Sequence, residues 1–320
     1  MHPSPSIILF TSAAGAGYGL LFLLGLGAAQ LLPPTREFGL AGLGLALALI
    51  SIGLLASLGH LGHPERAWRA ISQWRSSWLS REGALALLTF VPALVLAFGW
   101  VVLERTEGWF ALAGALAALG AAATVWATGM IYASLKPVRE WHRPLTAPLY
   151  LAFALMSGAL LLHLLLAALG APRAFAGALA LLATLLAFGL KAIQWQGIGA
   201  EVPASTPETA TGLGELGLVR MIEPPHTQTN YLLTEMGFQL GRKHAARLRL
   251  LAYGLGLGGG ALLTLLALAA TGWPALVLTA LAAAGGLAAI VIERWLFFAE
   301  ATHTAMLYYG RRPGAAQAAG

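Results

Sequence analysis

Residues able to do chemistry are scarce in this 320-residue chain, of which only 10% is charged, and they gather in three short stretches. The richest runs from His60 to Glu82, HLGHPERAWRAISQWRSSWLSRE. His60 and His63 close an apolar segment, Pro64 forces a turn, and Glu65 and Arg66 follow. Histidine exchanges a proton and hydrogen-bonds a carbonyl near neutral pH. A quinone needs such groups at the rim of an apolar region, where its tail stays in lipid and its head meets water. On that chemistry His60 is the candidate catalytic residue, and His63, Glu65, Arg66 and Trp68 complete a candidate quinone-binding set. Trp68, Trp74 and Trp78 interleave with Arg69, Arg75 and Arg81, which also fits an interfacial amphipathic helix resting on anionic lipid. That plainer reading explains the Trp and Arg but not two His and an acid.

The second stretch, Lys136-Pro137-Val138-Arg139-Glu140-Trp141-His142-Arg143-Pro144, can pair with the first loop, bind lipid or dock a soluble subunit. Arg69, Arg75, Arg81, Lys136, Arg139 and Arg143 are therefore candidate partner-docking residues. In the third stretch Glu293, Glu300 and His303 share one helical face by their spacing of seven and three. Ionisable groups at membrane depth are functional candidates, here for proton relay, and a structural ion pair with Arg294 is the alternative.

Other chemistries are excluded. The chain has no Cys and no Asp, so it holds no thiolate metal site, no covalently attached haem and no Asp-rich calcium loop. Iron–sulfur or molybdenum chemistry has to sit on another polypeptide. A b-type haem needs two axial His at membrane depth, and only His163 lies clearly inside an apolar segment away from the polar end, so no haem is expected. Two dinucleotide-type glycine patterns, Gly254/Gly256/Gly259 and Gly212/Gly214/Gly217, follow no buried strand and carry no phosphate site.

The elements that position these groups are membrane helices. With 58% hydrophobic residues and a mean hydropathy of +0.75, the chain lacks the charged exterior of a soluble domain of this size. Crossing the hydrocarbon takes about 20 apolar residues. Such segments fall at Ser6–Ala29, Phe38–Leu58, Gly83–Leu103, Trp109–Ala133, Ala147–Leu169, Arg173–Leu190, Leu250–Thr271 and Pro274–Phe298. The expected fold is an all-α integral membrane bundle of eight transmembrane helices, a single domain over 1–320. No Lys or Arg precedes the first segment, which reads as a retained helix rather than a cleaved signal. Gly15/Gly19 and Gly254/Gly258 have the small-residue spacing that lets helices pack closely.

Of the 19 Lys and Arg, Arg36, Arg105 and Arg173 fall on one side and Arg294 lies inside the last segment. The rest, including Lys191, Arg242, Lys243, Arg311 and Arg312, fall on the N-terminal side. That bias makes the N-terminal side cytoplasmic, with both termini inside, and the basic pI then reflects membrane topology rather than nucleic acid. A long cytoplasmic loop spans 194–248. Within it Ala204–Glu208 reads as an extended turn and Asn230–Ala246 has helix-forming composition. A loop of that length is usually functional, and a partner-docking surface fits it better than a linker.

The sequence resembles the membrane anchor subunits of dimethyl sulfoxide reductase-type molybdoenzymes over most of its length. The likeness is carried by MHPSPSIILFTSAAGAGYGLLF, by His60-Leu61-Gly62 with Pro64 and Arg66, by Trp78-Leu79-Ser80-Arg81-Glu82, by MIYASLKPVREWHRPLTAPLY from Met130, and by Arg294 to His303. The resemblance implies eight transmembrane helices without haem and a role for His60 in quinol oxidation. It also implies partnership with an iron–sulfur electron-transfer subunit and a molybdopterin catalytic subunit. In dimethyl sulfoxide reductase those subunits face the periplasm, whereas the charge bias here places the His60 loop in the cytoplasm. That is more similar to the anchors of sulfite:quinone oxidoreductases. The expectation is a multi-pass anchor in a bacterial inner membrane, in contact with lipid, that exchanges electrons with ubiquinone or menaquinone. A menaquinol-oxidising reductase anchor is the alternative. A secondary transporter is the competing class, although its usual broken helices and midplane charges are not evident here.

Overall fold

The computed structural model describes residues 1–59, 61–200, 205–223, 228, 236 and 244–309. His60, His226, Arg242, Lys243, Arg311 and Arg312 lie outside the described residues, as does most of the Asn230–Ala246 stretch.

Among the described residues, eight helices are long and apolar enough to cross a membrane. They are α1 (Pro5–Gly27), α2 (Arg36–Leu58), α3 (Trp78–Val102), α4 (Trp109–Ala133), α5 (Thr146–Ala168), α6 (Ala174–Ala200), α7 (Ala245–Ala269) and α8 (Gly272–Ala299). Their starts follow local chemistry. Pro5 occupies the first turn of α1, where its missing N–H costs nothing. The Thr35 and Ser77 side chains accept from the Phe38 and Ser80 amides, each at 3.4 Å, and so cap α2 and α3. The Ser77 cap explains why α3 begins five residues before the purely apolar run. Pro92 inside α3 and the π-helical turns Phe98–Val102 and Gly254–Leu262 interrupt the regular ladder within the bundle.

Two further segment ends differ from the sequence expectation. Helix α6 continues past Leu190 to Ala200, so 194–200 belongs to a span rather than to the long loop. Helix α7 starts at Ala245, a turn before its apolar run, because a helix can project beyond the hydrocarbon. Within the loop, Thr206 caps a short helix over Pro207–Thr211 through a reciprocal bond with Thr209, and Gly212 ends it in the left-handed region at φ 70°. Of the expected extended turn, Ser205 and Thr206 are not helical, Pro207 and Glu208 open the short helix, and Ala204 lies outside the described residues.

Packing puts α1 and α5 at the centre. A Cβ at Gly19 would run into the Ala154 carbonyl and one at Gly158 into the Gly19 backbone, so α1 and α5 cross backbone to backbone. Of the four glycines whose spacing suggests close packing, only Gly19 meets a neighbour. Gly15, Gly254 and Gly258 meet nothing within 4 Å, and α7 approaches α8 through Gly259 and Gly285 instead. One apolar core lies around α1, α2 and α4 and a second around α5, α6 and α8, with α5 contributing to both.

The polar ends are tied down. The Met1 ammonium donates to the Ala301 carbonyl at 2.6 Å, the Thr302 amide to Glu140 Oε2 at 3.1 Å, and the Thr304 amide to the Pro137 carbonyl at 3.0 Å. The N-terminus, the α4–α5 loop and the segment after α8 therefore share one end of the bundle. At the opposite end Arg173 donates to the Ala267 and Ala270 carbonyls and so caps the C-terminus of α7.

Candidate functional site

All three polar stretches lie at the end that holds the N-terminus. The first forms a ten-residue 3₁₀ helix, Pro64–Gln73, with no buried residue. His63 Nδ1 lies 3.0 Å from Glu65 Oε1, and Arg66 Nε lies 3.7 Å from the same oxygen, all of them exposed. Trp68 is 68% exposed and Trp74 54%. Arg69, Arg75 and Arg81 lie over the rings of Trp68, Trp74 and Trp78 at 5.4, 5.3 and 4.3 Å. Arg81 also donates to the Trp74 and Arg75 carbonyls, at 3.0 and 2.7 Å, which locks the loop onto the start of α3. The Ser80 hydroxyl donates to the Ala70 carbonyl and adds a second clasp. Arg69, Arg75 and Arg81 with Trp68, Trp74 and Trp78 thus form an outer face of paired guanidinium and indole groups, beside which His63, Glu65 and Arg66 of the predicted binding set lie exposed.

The second stretch faces inward through Val138 and Trp141. Trp141 is buried and donates from Nε1 to the Phe297 carbonyl at 2.8 Å. Around it Tyr132, Tyr150, Phe297 and Phe298 pack edge-on or stacked, with centroids 5.1–5.8 Å apart. Lys136 stays exposed, and Arg139 Nη2 lies 4.0 Å from Glu140 Oε1. Burial, and then the neighbouring Arg139, push the Arg143 pKa down.

The predicted relay residues separate. Glu293 is fully buried between two cations, with Lys191 Nζ at 2.7 Å and Arg294 Nε at 2.5 Å. Lys191, read from sequence as a surface charge, is 2% exposed. It donates to Gln194 Oε1 at 2.9 Å, Gln194 donates to Thr146 Oγ1 at 3.2 Å, and Thr146 donates to the Trp141 carbonyl at 2.7 Å. The Arg294 guanidinium lies 4.2 Å from the Tyr150 ring centroid. Glu300 sits farther out, 2.8 Å from Arg249. His303 accepts the Ala305 amide on Nδ1 and bridges to Val138, and partial burial lowers its pKa.

Sequence reasoning gave no role to Glu82. It is 5% exposed, one turn into α3, and accepts the Thr128 hydroxyl of α4. Thr124 and Thr89 continue this hydroxyl column at 3.4 Å. An acid just inside a capped, otherwise apolar helix was the signal that could have found it. No cluster of three or more His, Cys, Asp or Glu able to hold a metal occurs among the described residues.

Thr128 also lines a cavity of about 20 Å³ between α1, α4, α5 and α8. Arg294 lines it from the other side, so the cavity separates the Glu82 hydroxyl column from the Glu293 ion cluster.

Known proteins resemble the chain along nearly its whole length. A family model described as "DMSO reductase anchor subunit (DmsC)" matches residues 1–310. A sulfite dehydrogenase subunit of Allochromatium vinosum is 34% identical over 330 residues, covering 97% of this chain and 99% of that protein.

Proposed function

The chain belongs to the DMSO reductase anchor subunit family, and from its standing as the membrane anchor of a multi-subunit oxidoreductase we propose that it binds quinone at the N-terminal end of the bundle. There it passes electrons between an iron–sulfur subunit and the membrane quinone pool. The observation that carries this reading is Glu82, a buried acid with a hydroxyl partner, at the start of the helix onto which the His63–Glu65–Arg66 loop is clasped.

Reduction of a quinone takes two electrons and two protons. In this reading the electrons arrive from the partner's clusters and the protons from acid and imidazole groups at the membrane rim. His60 and Glu82 hydrogen-bond the headgroup, while Glu65 and Arg66 set the charge around it, with His63 and Trp68 at the entrance. Glu300 supplies protons from the same end, Glu293 stays a fixed counter-ion between Lys191 and Arg294, and His303 holds the segment after α8 against Val138. The Trp–Arg face, with Lys136, Arg139 and Arg143 beside it, docks the iron–sulfur subunit. The assembly is completed by a molybdopterin catalytic subunit.

Likeness to a sulfite dehydrogenase subunit supports sulfite oxidation as the reaction, with electrons flowing into the quinone. The excess of Lys and Arg at the N-terminal end supports a cytoplasmic position for the partners. The test is quinone-linked turnover of the intact complex carrying His60→Ala or Glu82→Gln. Loss of a positioned acid–base group costs on the order of 100-fold, while assembly of the subunits persists. Undiminished quinone-linked rates in both variants would rule the site out.

A further inference from the structure

Four buried polar atoms belong to residues that line the cavity between α1, α4, α5 and α8. Ser12 Oγ, Tyr18 Oη, Tyr150 Oη and Arg294 Nη1 are each buried, and none has a hydrogen-bond partner at normal geometry. The residues that carry them all line that one cavity. A buried polar group left unpaired is destabilising, so four such groups around one space are not a stable end state for the protein alone. The cavity volume of about 20 Å³ admits roughly one water and excludes a quinone ring. A dry hydrocarbon filling would leave all four atoms unsatisfied.

We propose that this cavity is a binding site for a single internal water, held by Arg294 and by two of the hydroxyls of Ser12, Tyr18 and Tyr150, which positions the Thr128 hydroxyl against Glu82. The donor inventory supports that ligand. Guanidinium only donates, so the water oxygen accepts from Arg294. Both water hydrogens are then free for acceptors, and the available ones are hydroxyl oxygens. Thr128 Oγ1 reaches both Glu82 and the Thr124 carbonyl as a donor, and with its one hydrogen on either of them its oxygen can accept from the water. Accepting a bond makes a hydroxyl a stronger donor, and the water therefore strengthens the Thr128–Glu82 bond. Arg294 is itself held by Glu293, which Lys191 holds in turn. The ion cluster of α6 and α8 thereby sets the orientation of an acid on α3 that it does not touch. Arg294, Tyr18 and Ser12 are positioning residues in this scheme.

The role of Glu82 rests on the quinone reading above, whereas occupancy of the cavity does not, and the experiment separates them. Electron cryomicroscopy of the intact complex in lipid nanodiscs, at a resolution that shows waters, should give one compact peak in this cavity, about 3 Å from Arg294 and from two of the lining hydroxyls. An empty cavity, or density continuous with an acyl chain, would overturn the water site. The double variant Ser12→Ala/Tyr18→Phe removes two partners with little change in volume and should lose the peak. Its quinone-linked kcat should fall roughly tenfold at unchanged KM, with a displaced pH profile, because only the acid is misaligned. Loss of the peak without any change in kcat or pH profile would overturn the coupling to Glu82. Should the wild-type complex turn over no quinone, the functional reading fails on that assay alone, and the density still decides the water site.

Discussion

Two buried glutamates lie near the same end of the bundle in opposite settings. Glu82 on α3 meets the Thr128 hydroxyl and a column of threonines, and no cation contacts it among the described residues. Glu293 on α8 is clamped by Lys191 and Arg294. An acid offered only hydroxyls can give and take a proton without stranding a charge. One fixed between two cations cannot, because its loss leaves both buried and uncompensated. In the proposed reading the contrast puts the headgroup chemistry at Glu82 in the α1–α4 half and a fixed ion cluster in the α5–α8 half.

The largest effect should come from removing the clamp. Glu293→Gln strands Lys191 and Arg294 and should cost about 3–5 kcal/mol, seen as loss of folded protein in detergent melting. Glu82→Gln keeps a hydrogen-bonding amide and should stay within about 1 kcal/mol of the parent. Equal losses in the two variants would collapse the distinction between the halves.

A smaller effect tests the outer face. Trp68→Ala with Trp74→Ala removes two exposed indoles and should weaken subunit association roughly tenfold, about 1.4 kcal/mol, as measured by stripping the soluble subunits from membranes. Replacing Arg69 and Arg75 should chiefly reduce the salt dependence of docking. Full retention of the soluble subunits by the Trp variant would leave this loop as a lipid contact.

The smallest effect concerns His303. Its folded pKa lies below the ordinary value of 6.5, so the unfolded segment binds more protons as the pH falls through 6.5. Anchoring of the segment after α8 should be complete above that pH and weaken progressively below it. Protease cleavage after Ala301 should rise on acidification, and His303→Gln should abolish that pH dependence. Cleavage that stays flat with pH in the parent would remove His303 from this role.

Much of the architecture was legible in the letters. Helix count and approximate length depend on local hydropathy, since each span satisfies its own backbone and needs only enough apolar residues to cross lipid. The three polar stretches could also be placed at one end, because eight spans return the chain to the side where it began. Lys191 shows where that logic stops. A lysine near the end of an apolar run reads as a surface charge, yet its partner Glu293 lies on α8 and draws it inward. Glycine spacing failed likewise, since Gly15 and Gly258 carry the right pattern and face open space.

The sequence by itself determined eight membrane helices, a single polar end and the absence of thiolate chemistry, all of them sums over neighbouring residues. Tertiary structure alone decided that Glu82 meets Thr128, that Glu293 meets Lys191, and that Ser12, Tyr18, Tyr150 and Arg294 face one cavity. Those meetings depend on how each helix is rotated about its axis and where it crosses its neighbours. Such angles are fixed by backbone contacts such as that between Gly19 and Ala154, which no single segment encodes.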